Sequence, residues 1–425
     1  MLDAFHNYHK AVRDLESIIT LPIKNYEQKN TGRSFFIERL RYLLNLLDNP
    51  QQGFKYIHVT GTAGKGTTVN LIHKAIRANG HKVGCYFSPH TTTSIERIKV
   101  NDLYISPNDF ADLMDKIKPA LKMCSKSSPY GHPSYFETFL SLAFLYFKKQ
   151  QCEYVVLEAG LGGRHDATNI VANPLITIIT NINYDHQEVL GRSLTGIAKD
   201  KADIIKSGSI FLTTETRPAL LKIFKGKCQK VGAKFYSVSG DKEKQNLALA
   251  KKTAEILRFD PKKTETGFRR AKLPCRFETI QKKPVVILDG SHNPAKMTMV
   301  ASHLTCLNYD KLIVILGMAK NKDHFKTLAQ IAPLADCLIL TKSENPYREA
   351  ISPVKLKTVV RQLKIKKKQI IKMFIRPKEA LKFGQKIQNI NDCLLITGSF
   401  FLTGELRVNW ITEVDILINR RSYKI

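Results

Sequence analysis

The stretch YIHVTGTAGKGTT, residues 56–68, decides the fold of this chain. It starts with a β-rich run at 56–60 and passes through glycines into a helical pattern at 67–79, which stops at Gly80. A glycine-rich loop between a strand and a helix lets backbone N–H groups and the helix N-terminus bind an anion. We therefore predict a phosphate loop, in which Lys65 reaches the terminal phosphates of a nucleotide. The loop residues predicted to bind this nucleotide are Gly61, Gly64, Lys65, Gly66, Thr67 and Thr68.

Two further runs end in side chains that suit a metal ion. Residues 154–158 (YVVLE) end in Glu158, and residues 176–182 (ITIITNI) run on to His186. The carboxyl ends of parallel strands meet at one edge of a sheet, where ligands bind in open α/β folds. Thr67, Glu158 and His186 could therefore converge on one Mg²⁺ together with nucleotide phosphates. A histidine taken alone at this position is more often an ordinary loop or core residue.

The order of the elements predicts the fold class. Short apolar runs at 56–60, 154–158 and 176–182 alternate with helical patterns, and a second series follows at 284–289, 312–316, 337–341 and 393–397. Such alternation is typical of α/β domains with a mostly parallel sheet. We predict an ATPase domain at 1–274 that carries the phosphate loop and a smaller Rossmann-like domain at 275–425. A helix is predicted at 197–206, and it carries Lys201.

Composition excludes several classes of protein. The chain has 425 residues, of which 43% are hydrophobic, and no apolar run approaches the ~20 residues of a membrane span. Its first residues lack the basic start and apolar core of a secretory signal, so we expect a cytoplasmic protein that does not bind membranes. Its eight cysteines are scattered without a CxxC pair, which argues against a structural zinc site or a disulfide framework.

The net charge of +30 leaves three interpretations open. The excess is concentrated at 222–283, with 18 basic and 6 acidic residues, and at 351–386, with 12 basic residues and one acidic residue. These segments could be solvated helix faces, a surface that attracts a polyanionic small substrate, or a nucleic-acid-binding surface. No nucleic-acid-binding motif accompanies the charge, so we favour the first two interpretations.

These motifs together resemble the folylpolyglutamate synthase and dihydrofolate synthase family, within the Mur ligase superfamily. The matching blocks extend from about residue 56 to 407, and several ordered blocks are far more specific than one motif. Besides the phosphate loop they are SPH (88–90), ER (96–97), FE (136–137), LEAGLGGRHDATNI (157–170), DHQEVLG (185–191), LPCRFE (273–278), LDGSHNP (288–294) and TGSFFLTGELR (397–407).

The resemblance implies roles for individual residues. ATP would be held by the phosphate loop together with Asn246, Arg276 and Asp289, and Mg²⁺, expected at two sites, by Thr67, Glu158 and His186. Lys201 matches a lysine that the family carbamylates, and the carbamate would bridge to the second Mg²⁺. The implied catalytic residues are Lys65, Lys201 and His186. The implied pterin site consists of Ser134, Tyr135, Phe136, Glu137, His165, Asp166 and Ala167.

The resemblance also implies an activity. The enzyme would use ATP to convert a carboxylate into an acyl phosphate and would join it to L-glutamate, with dihydropteroate, a reduced folate, or both as acceptor. The second domain would close on ATP and glutamate, and we expect a monomer.

The sequence departs from the family pattern at several positions. His165 follows the GGR motif where the family has Leu, Asp203 stands in place of a Gly, and Cys275 replaces the Gly of a PGR motif. A paralogous Mur-type ligase for another carboxylate and amino acid is therefore the alternative, and a nucleic-acid-binding ATPase is a distant one.

Overall fold

The computed structural model describes residues 2–20, 35–184, 187–240, 244–345, 349–365 and 369–423. The chain divides into two compact units. The first comprises Met1–His90, Ser94–Ala271 and Leu417–Arg421, and the second comprises Thr91–Thr93, Lys272–Ile416 and Ser422–Ile425. The predicted boundary at 274/275 therefore lies close to the break at 271/272, but each unit also takes a short piece from elsewhere in the chain.

The first unit is built around an eight-stranded sheet in the order β4-β3-β2-β5-β1-β6-β7-β8. Strands β3 and β4 are antiparallel to their neighbours, and the other strands pair in parallel. Strand β1 is central, and all its residues except Lys55 are buried. The strands are β1 Lys55–Thr60, β2 Val83–Tyr86, β3 Ile98–Val100, β4 Leu103–Tyr104, β5 Tyr154–Glu158, β6 Ile176–Ile179, β7 Ile210–Thr213 and β8 Lys234–Ser237.

Helices of the first unit cover this sheet. The helix after the phosphate loop buries Val69, Ile72 and Ile76, as its apolar pattern predicts, and it ends before Gly80, which has a φ of 91°. The helices are α1 Leu2–Glu16, α2 Phe35–Leu46, α3 Lys65–Ala78, α4 Pro107–Ser127, α5 Tyr135–Lys149, α6 Gln187–Leu190, α7 Leu194–Lys201, α8 Pro218–Val231, α9 Gln245–Ile256 and α10 Pro261–Arg269.

One helix is shorter than predicted. The expected helix at 197–206 is α7, which ends at Lys201, and a 3-10 turn over Ala202–Ile204 follows it. The backbone then becomes extended at Ile205, which has a ψ of 119°. Lys201 therefore lies at a helix end, and the backbone changes direction directly after it.

The second unit contains a six-stranded sheet in the order β13-β12-β11-β14-β10-β9, parallel except for β9. Apolar side chains on both faces of this sheet pack into separate cores, as expected for a sheet covered on both sides. Its strands are β9 Glu278–Lys282, β10 Val285–Leu288, β11 Leu312–Leu316, β12 Cys337–Leu340, β13 Ile370–Met373 and β14 Cys393–Thr397. Its helices are α11 Pro294–Leu304, α12 His324–Ile331, α13 Pro353–Gln362, α14 Pro377–Ile387 and α15 Phe400–Arg407; α16 Glu413–Asn419 is the last helix of the chain.

Two features stabilise the region next to β9. Arg407 is fully buried, and its Nε and Nη2 each donate to Glu278 at 2.9 Å, which satisfies both charges. The carboxylate of Glu278 also accepts from the backbone N–H of Cys275 at 2.9 Å. Nearby, the indole N–H of Trp410, the one tryptophan of the chain, donates to Gln281 at 3.0 Å.

Candidate active site

The loop between β1 and α3 has the backbone shape that the sequence predicts for phosphate binding. Gly64 precedes α3 in the left-handed conformation, with a φ of 81°. Thr68 is buried, whereas Lys65 and Thr67 are half-buried at the start of the helix. The first N–H groups of a helix have no partner within the helix, and the helix dipole favours an anion there.

Residues that follow β6 hold the other side of this loop. The hydroxyl of Thr180 donates to the carbonyl of Ala63 at 2.6 Å, and the backbone N–H of Ala63 donates to Asn181 Oδ1 at 3.0 Å. Next to them, the hydroxyl of Thr62 donates to the carbonyl of Asn183 at 3.0 Å. The sequence motif does not include Thr180 or Asn181, and the only signal for them is their position at the end of a predicted strand.

Two glycines of the loop are required because neighbouring side chains approach closely. A Cβ atom at Gly61 would lie 1.8 Å from Thr180 Oγ1, and one at Gly64 would lie 2.2 Å from Asn246 Oδ1. Asn246, at the start of α9, also accepts from the hydroxyl of Thr68 at 3.3 Å. The predicted nucleotide contact Asn246 therefore lies against the phosphate loop.

Both lysines predicted to be catalytic contact the same backbone carbonyl. Lys65 Nζ donates to Gly61 O at 2.9 Å, and Lys201 Nζ donates to the same oxygen at 3.3 Å. Lys201 is buried, with 3% of its surface exposed. Two ammonium groups on one carbonyl repel each other, so their placement favours an anion next to the loop.

Glu158 lies at the same edge of the sheet as the phosphate loop. In the parallel pairing of β5 with β1 it is opposite Val59, one residue before the last residue of β1. It is 3% exposed, and the backbone N–H of Ser88 donates to its Oε2 at 3.3 Å. A carboxylate and the hydroxyl of Thr67 are hard oxygen donors that suit Mg²⁺, so these residues fit a divalent cation.

The remaining predicted ligand, His186, lies outside the described residues, and with it the first two residues of the 185–191 block. Within the described part of the chain, no group of three or more His, Cys, Asp or Glu side chains is placed to hold a metal ion. The predicted metal site therefore depends on Thr67, Glu158 and Lys201 among the residues that the structure places.

Asp203, which lies two residues after Lys201, is paired with two basic side chains. Its carboxylate pairs with Arg164 and with Lys227, the latter at 2.9 Å. Burial alone would raise the pKa of Asp203, but the hydrogen bonds from Lys227 and Arg164 outweigh it and lower the pKa. Asp200 also contacts the GLGGR segment (160–164), since its Oδ1 accepts from the N–H of Gly163 at 2.8 Å.

The first predicted pterin segment begins helix α5. Ser134 and Glu137 form a capping box, in which Ser134 N–H donates to Glu137 Oε2 at 2.8 Å. Arg39 of α2 donates to both oxygens of Glu137, at 2.8 and 2.9 Å, in a buried pair. Tyr135 is buried, whereas Phe136 is 56% exposed. Phe136 is thus the member of this segment that is free to contact a substrate.

The second predicted pterin segment is a tightly bonded turn. Asp166 accepts from the N–H of Leu161 at 2.9 Å and from both the N–H and the hydroxyl of Thr168, and Ala167 begins the 3-10 turn that follows. His58 of β1 is within 2.7 Å of the Thr168 hydroxyl, and burial lowers the pKa of His58 to about 3. The ring of His165 lies 6.1 Å from that of Phe36. Asp166 therefore fixes the loop backbone.

The second unit carries the two other predicted nucleotide contacts. Arg276 packs its guanidinium on the ring of Phe400, 4.1 Å from the centroid. Both oxygens of Asp289 accept backbone N–H groups, from Phe277 and Ser291, each at 2.8 Å. Cys275 and Phe277, on either side of Arg276, have φ angles of 53° and 47°. The left-handed backbone at Cys275 is a conformation that favours Gly, which is the residue that the resemblance implies at this position.

Comparison with known proteins identifies the family. The Mur ligase middle domain matches residues 59–277, and the Mur ligase, glutamate ligase domain, matches residues 275–400. The chain therefore belongs to the Mur ligase family.

Relatives of this chain carry one or both of two activities in their names. The dihydrofolate synthase/folylpolyglutamate synthase of Bacillus subtilis is 28% identical over 411 residues, covering 87% of this chain and 93% of the relative. The folylpolyglutamate synthase of Lacticaseibacillus casei is 29% identical over 326 residues, covering 67% and 76%. Among solved structures, E. coli FolC in complex with DHPP and ADP has a TM-score of 0.77 and 26% identity, covering 97% of this chain and 98% of FolC.

These matches confirm the predicted family, the α/β fold and the enzyme class, an ATP-dependent glutamate ligase. No helix in the described part of the chain is both long and apolar enough to cross a membrane.

Proposed function

We propose that this enzyme joins L-glutamate to dihydropteroate, to the glutamate tail of a reduced folate, or to both. The observation that carries the proposal is the β1–α3 loop with Lys65, Lys201 and Glu158 gathered at one sheet edge. The names of the relatives support the acceptor class, and the DHPP and ADP bound to E. coli FolC support both substrate types.

The chemistry would proceed in two steps. A carboxylate oxygen of the acceptor attacks the γ-phosphorus of ATP, and the bond to the β–γ bridging oxygen breaks, which gives an acyl phosphate and ADP. The amine of L-glutamate then attacks the acyl carbon, phosphate leaves and the nitrogen loses a proton. The protein contributes mainly alignment and neutralisation of charge.

Residues of the phosphate loop would serve the first step. The ammonium group of Lys65 would stabilise the charge on the transferring phosphoryl group, and the free N–H groups at the start of α3 would bind phosphate oxygens. Thr67, Glu158 and His186 would hold Mg²⁺, which when bound neutralises phosphate charge. Arg276 and Asp289 remain predicted nucleotide contacts.

We further propose that Lys201 acts as a carbamate and that a second Mg²⁺ binds there. Its amine would add to the carbon of CO₂ and release a proton, which replaces a positive charge with a carboxylate-like group. The shared carbonyl of Gly61 supports this proposal, because removing one of two adjacent ammonium charges relieves their repulsion.

An ADP-release assay tests the function. Purified enzyme with ATP and Mg²⁺ is combined with dihydropteroate or tetrahydrofolate and with a panel of amino acids. We expect ADP only when L-glutamate and at least one of the two acceptors are present. ADP release that needs neither acceptor, or that prefers another amino acid, would favour the paralogous ligase instead.

A further inference from the structure

Three arginines of the described chain are buried, and they differ in how their charge is satisfied. Arg39, Arg97 and Arg407 are 7%, 4% and 0% exposed. Arg39 and Arg407 each donate two hydrogen bonds to one carboxylate, that of Glu137 and that of Glu278. Arg97 makes no such bond to any residue that the structure describes, and its Nε and Nη1 are buried without an acceptor.

Aromatic rings surround the guanidinium of Arg97. Its central carbon lies 5.5 Å from the ring centroid of Tyr135, 5.6 Å from that of Phe136 and 4.8 Å from that of Phe139. Such cation–π contacts offset part of the cost of burying the charge, but they leave the N–H groups without strong acceptors. A buried charge without a counter-charge is costly, so the arrangement calls for an anion from outside the chain.

This arginine lies close to the residues that the proposed reaction uses. The backbone N–H of Phe87 donates to the carbonyl of Arg97 at 3.0 Å, and the next residue, Ser88, donates to Glu158 at 3.3 Å. Tyr135 and Phe136 belong to the predicted pterin segment, and the exposed ring of Phe136 leaves one side of the aromatic group open. Arg97 is thus bonded through its backbone to the segment that contacts Glu158, the proposed metal ligand, and its side chain contacts residues of the proposed acceptor site.

We propose that Arg97 binds a carboxylate of the acceptor substrate and positions the acceptor for phosphorylation. A planar guanidinium matches the geometry of a carboxylate, as the pairs of Arg39 and Arg407 illustrate within this chain. The surrounding rings offer apolar faces to a flat aromatic substrate. This inference rests on the proposed function, because it takes the acceptor to be an aromatic carboxylate of the pteroate or folate type.

The test removes either the arginine or the ligand carboxylate and measures binding without ATP. The ligands are dihydropteroate and an analogue with aniline in place of p-aminobenzoate, titrated by calorimetry. For the parent enzyme, loss of the carboxylate should weaken binding about 10- to 100-fold, as expected for charged hydrogen bonds. Arg97→Met should weaken dihydropteroate binding by the same factor and should bind both ligands equally well.

A structural role for Arg97 predicts a different set of results. If Arg97 merely supported the fold, Arg97→Met would melt at a lower temperature and would still prefer dihydropteroate by the parent's factor, which would overturn the inference. We expect an unchanged or higher melting temperature without ligand, since the variant no longer buries an unpaired charge. Arg41→Met, which removes an exposed arginine of α2, is the matched control and should behave like the parent.

Three further outcomes are also decisive. If Arg97→Met does not fold, Arg97→Lys is used in its place. Arg97→Lys should bind dihydropteroate several-fold more weakly than the parent and should bind the analogue as the parent does. Equal effects on the binding of both ligands would refute the inference. If the parent enzyme binds dihydropteroate and releases ADP with it but Arg97→Met keeps its preference, only the role of Arg97 fails. If the parent uses neither dihydropteroate nor tetrahydrofolate, the proposed function itself fails.

Discussion

The carbonyl of Gly61 is the point at which the two proposed catalytic lysines meet, yet the residues should differ in function. Lys65 is half-buried at the start of α3, where its ammonium group can stay in contact with the phosphoryl group as that group is transferred. Lys201 is buried at the end of α7, where its charge is harder to solvate. The difference in burial predicts that Lys65 acts as a cation and that Lys201 changes its chemical form.

Replacing Lys65 by Ala should abolish ATP turnover without unfolding the protein. Uncompensated charge in the transition state costs on the order of 3 kcal/mol, which corresponds to a loss of ~100-fold or more in ADP release. Lys82→Ala, on the surface beyond α3, should be normal in the same assay. If a folded Lys65→Ala enzyme turned over ATP at nearly the parent rate, the phosphate loop would have no part in the mechanism.

Glu158→Gln should raise the Mg²⁺ concentration needed for half-maximal activity by about tenfold or more, because the amide keeps the shape of the side chain but lacks the anionic oxygen that a hard cation prefers. His186→Ala should act in the same direction. Glu153, just before β5, pairs with Lys55 on the surface, so Glu153→Gln is the control for removing a charge near this strand. Overlapping Mg²⁺ titrations of parent and Glu158→Gln would show that the metal site is elsewhere.

Lys201→Ala should be inactive and should regain part of its activity with acetate, a small replacement for the carbamate. In contrast, Asp203→Gly should stay active and lose only stability, because Asp203 pairs with Arg164 and Lys227. The carbamate itself should give a ¹³C NMR signal when the parent enzyme is kept in ¹³C-bicarbonate, and Lys201→Ala should lack that signal. An active parent with an unmodified Lys201, together with an inactive Asp203→Gly, would show that Asp203 and not a carbamate of Lys201 is the required acidic group.

At the scale of elements, the buried pair of Arg407 and Glu278 joins helix α15 to strand β9. Arg407→Leu should lower the free energy of unfolding by about 3–5 kcal/mol, because it leaves the carboxylate of Glu278 buried without its partner. Changing both residues to Leu should cost less than the sum of the single changes. Urea unfolding followed by circular dichroism measures these values.

An exposed pair of the same unit provides the comparison. Lys320 and Glu349 are 2.7 Å apart, with side chains 59% and 72% exposed. Lys320→Ala should change the free energy of unfolding by less than about 1 kcal/mol, since solvent screens an exposed pair. An equally small effect for Arg407→Leu would mean that the buried pair does not hold α15 against β9.

Buried elements could be predicted from the sequence, whereas exposed ones could not. Strands such as β1 and β5 are apolar runs with all or nearly all residues buried, so their patterns are unambiguous. The strands β8 (KFYS) and β13 (IIKM) lie at sheet edges, have mostly exposed residues and each include a lysine, so neither is a continuous apolar run. The C-terminal end of α7 could not be predicted either, because the 3-10 turn after Lys201 does not interrupt the helical pattern of the sequence.

The candidate site divides in the same way. Glu158 and the phosphate loop follow predicted strands directly, so parallel topology alone places them at one edge. The partners of Asp203 and the aromatic surroundings of Arg97 come from distant parts of the chain and depend on tertiary packing. The sequence places Asp203 two residues after Lys201, but only the structure shows that Arg164 and Lys227 neutralise it.

At the scale of the whole molecule, the chain returns to its first unit close to the C-terminus. Arg420 belongs to that unit, and its guanidinium donates to the carbonyl of Tyr104 at 2.7 Å and to the hydroxyl of Tyr146 at 3.0 Å. Arg420→Ala should therefore destabilise the protein by about 1–3 kcal/mol in urea unfolding. Arg421→Ala is the matched control, and equal effects of the two changes would argue against a specific role of Arg420.

The position of Trp410 has a practical consequence for experiments on this protein. It is the one tryptophan of the chain, it belongs to the second unit, and its indole N–H is bonded to Gln281. Intrinsic fluorescence excited at the red edge of tyrosine absorption therefore reports on the second unit alone, and the emission should shift to longer wavelength when that unit opens. A tryptophan introduced at Phe136, where the ring is already exposed, would give the first unit its own optical signal in a Trp410→Phe background.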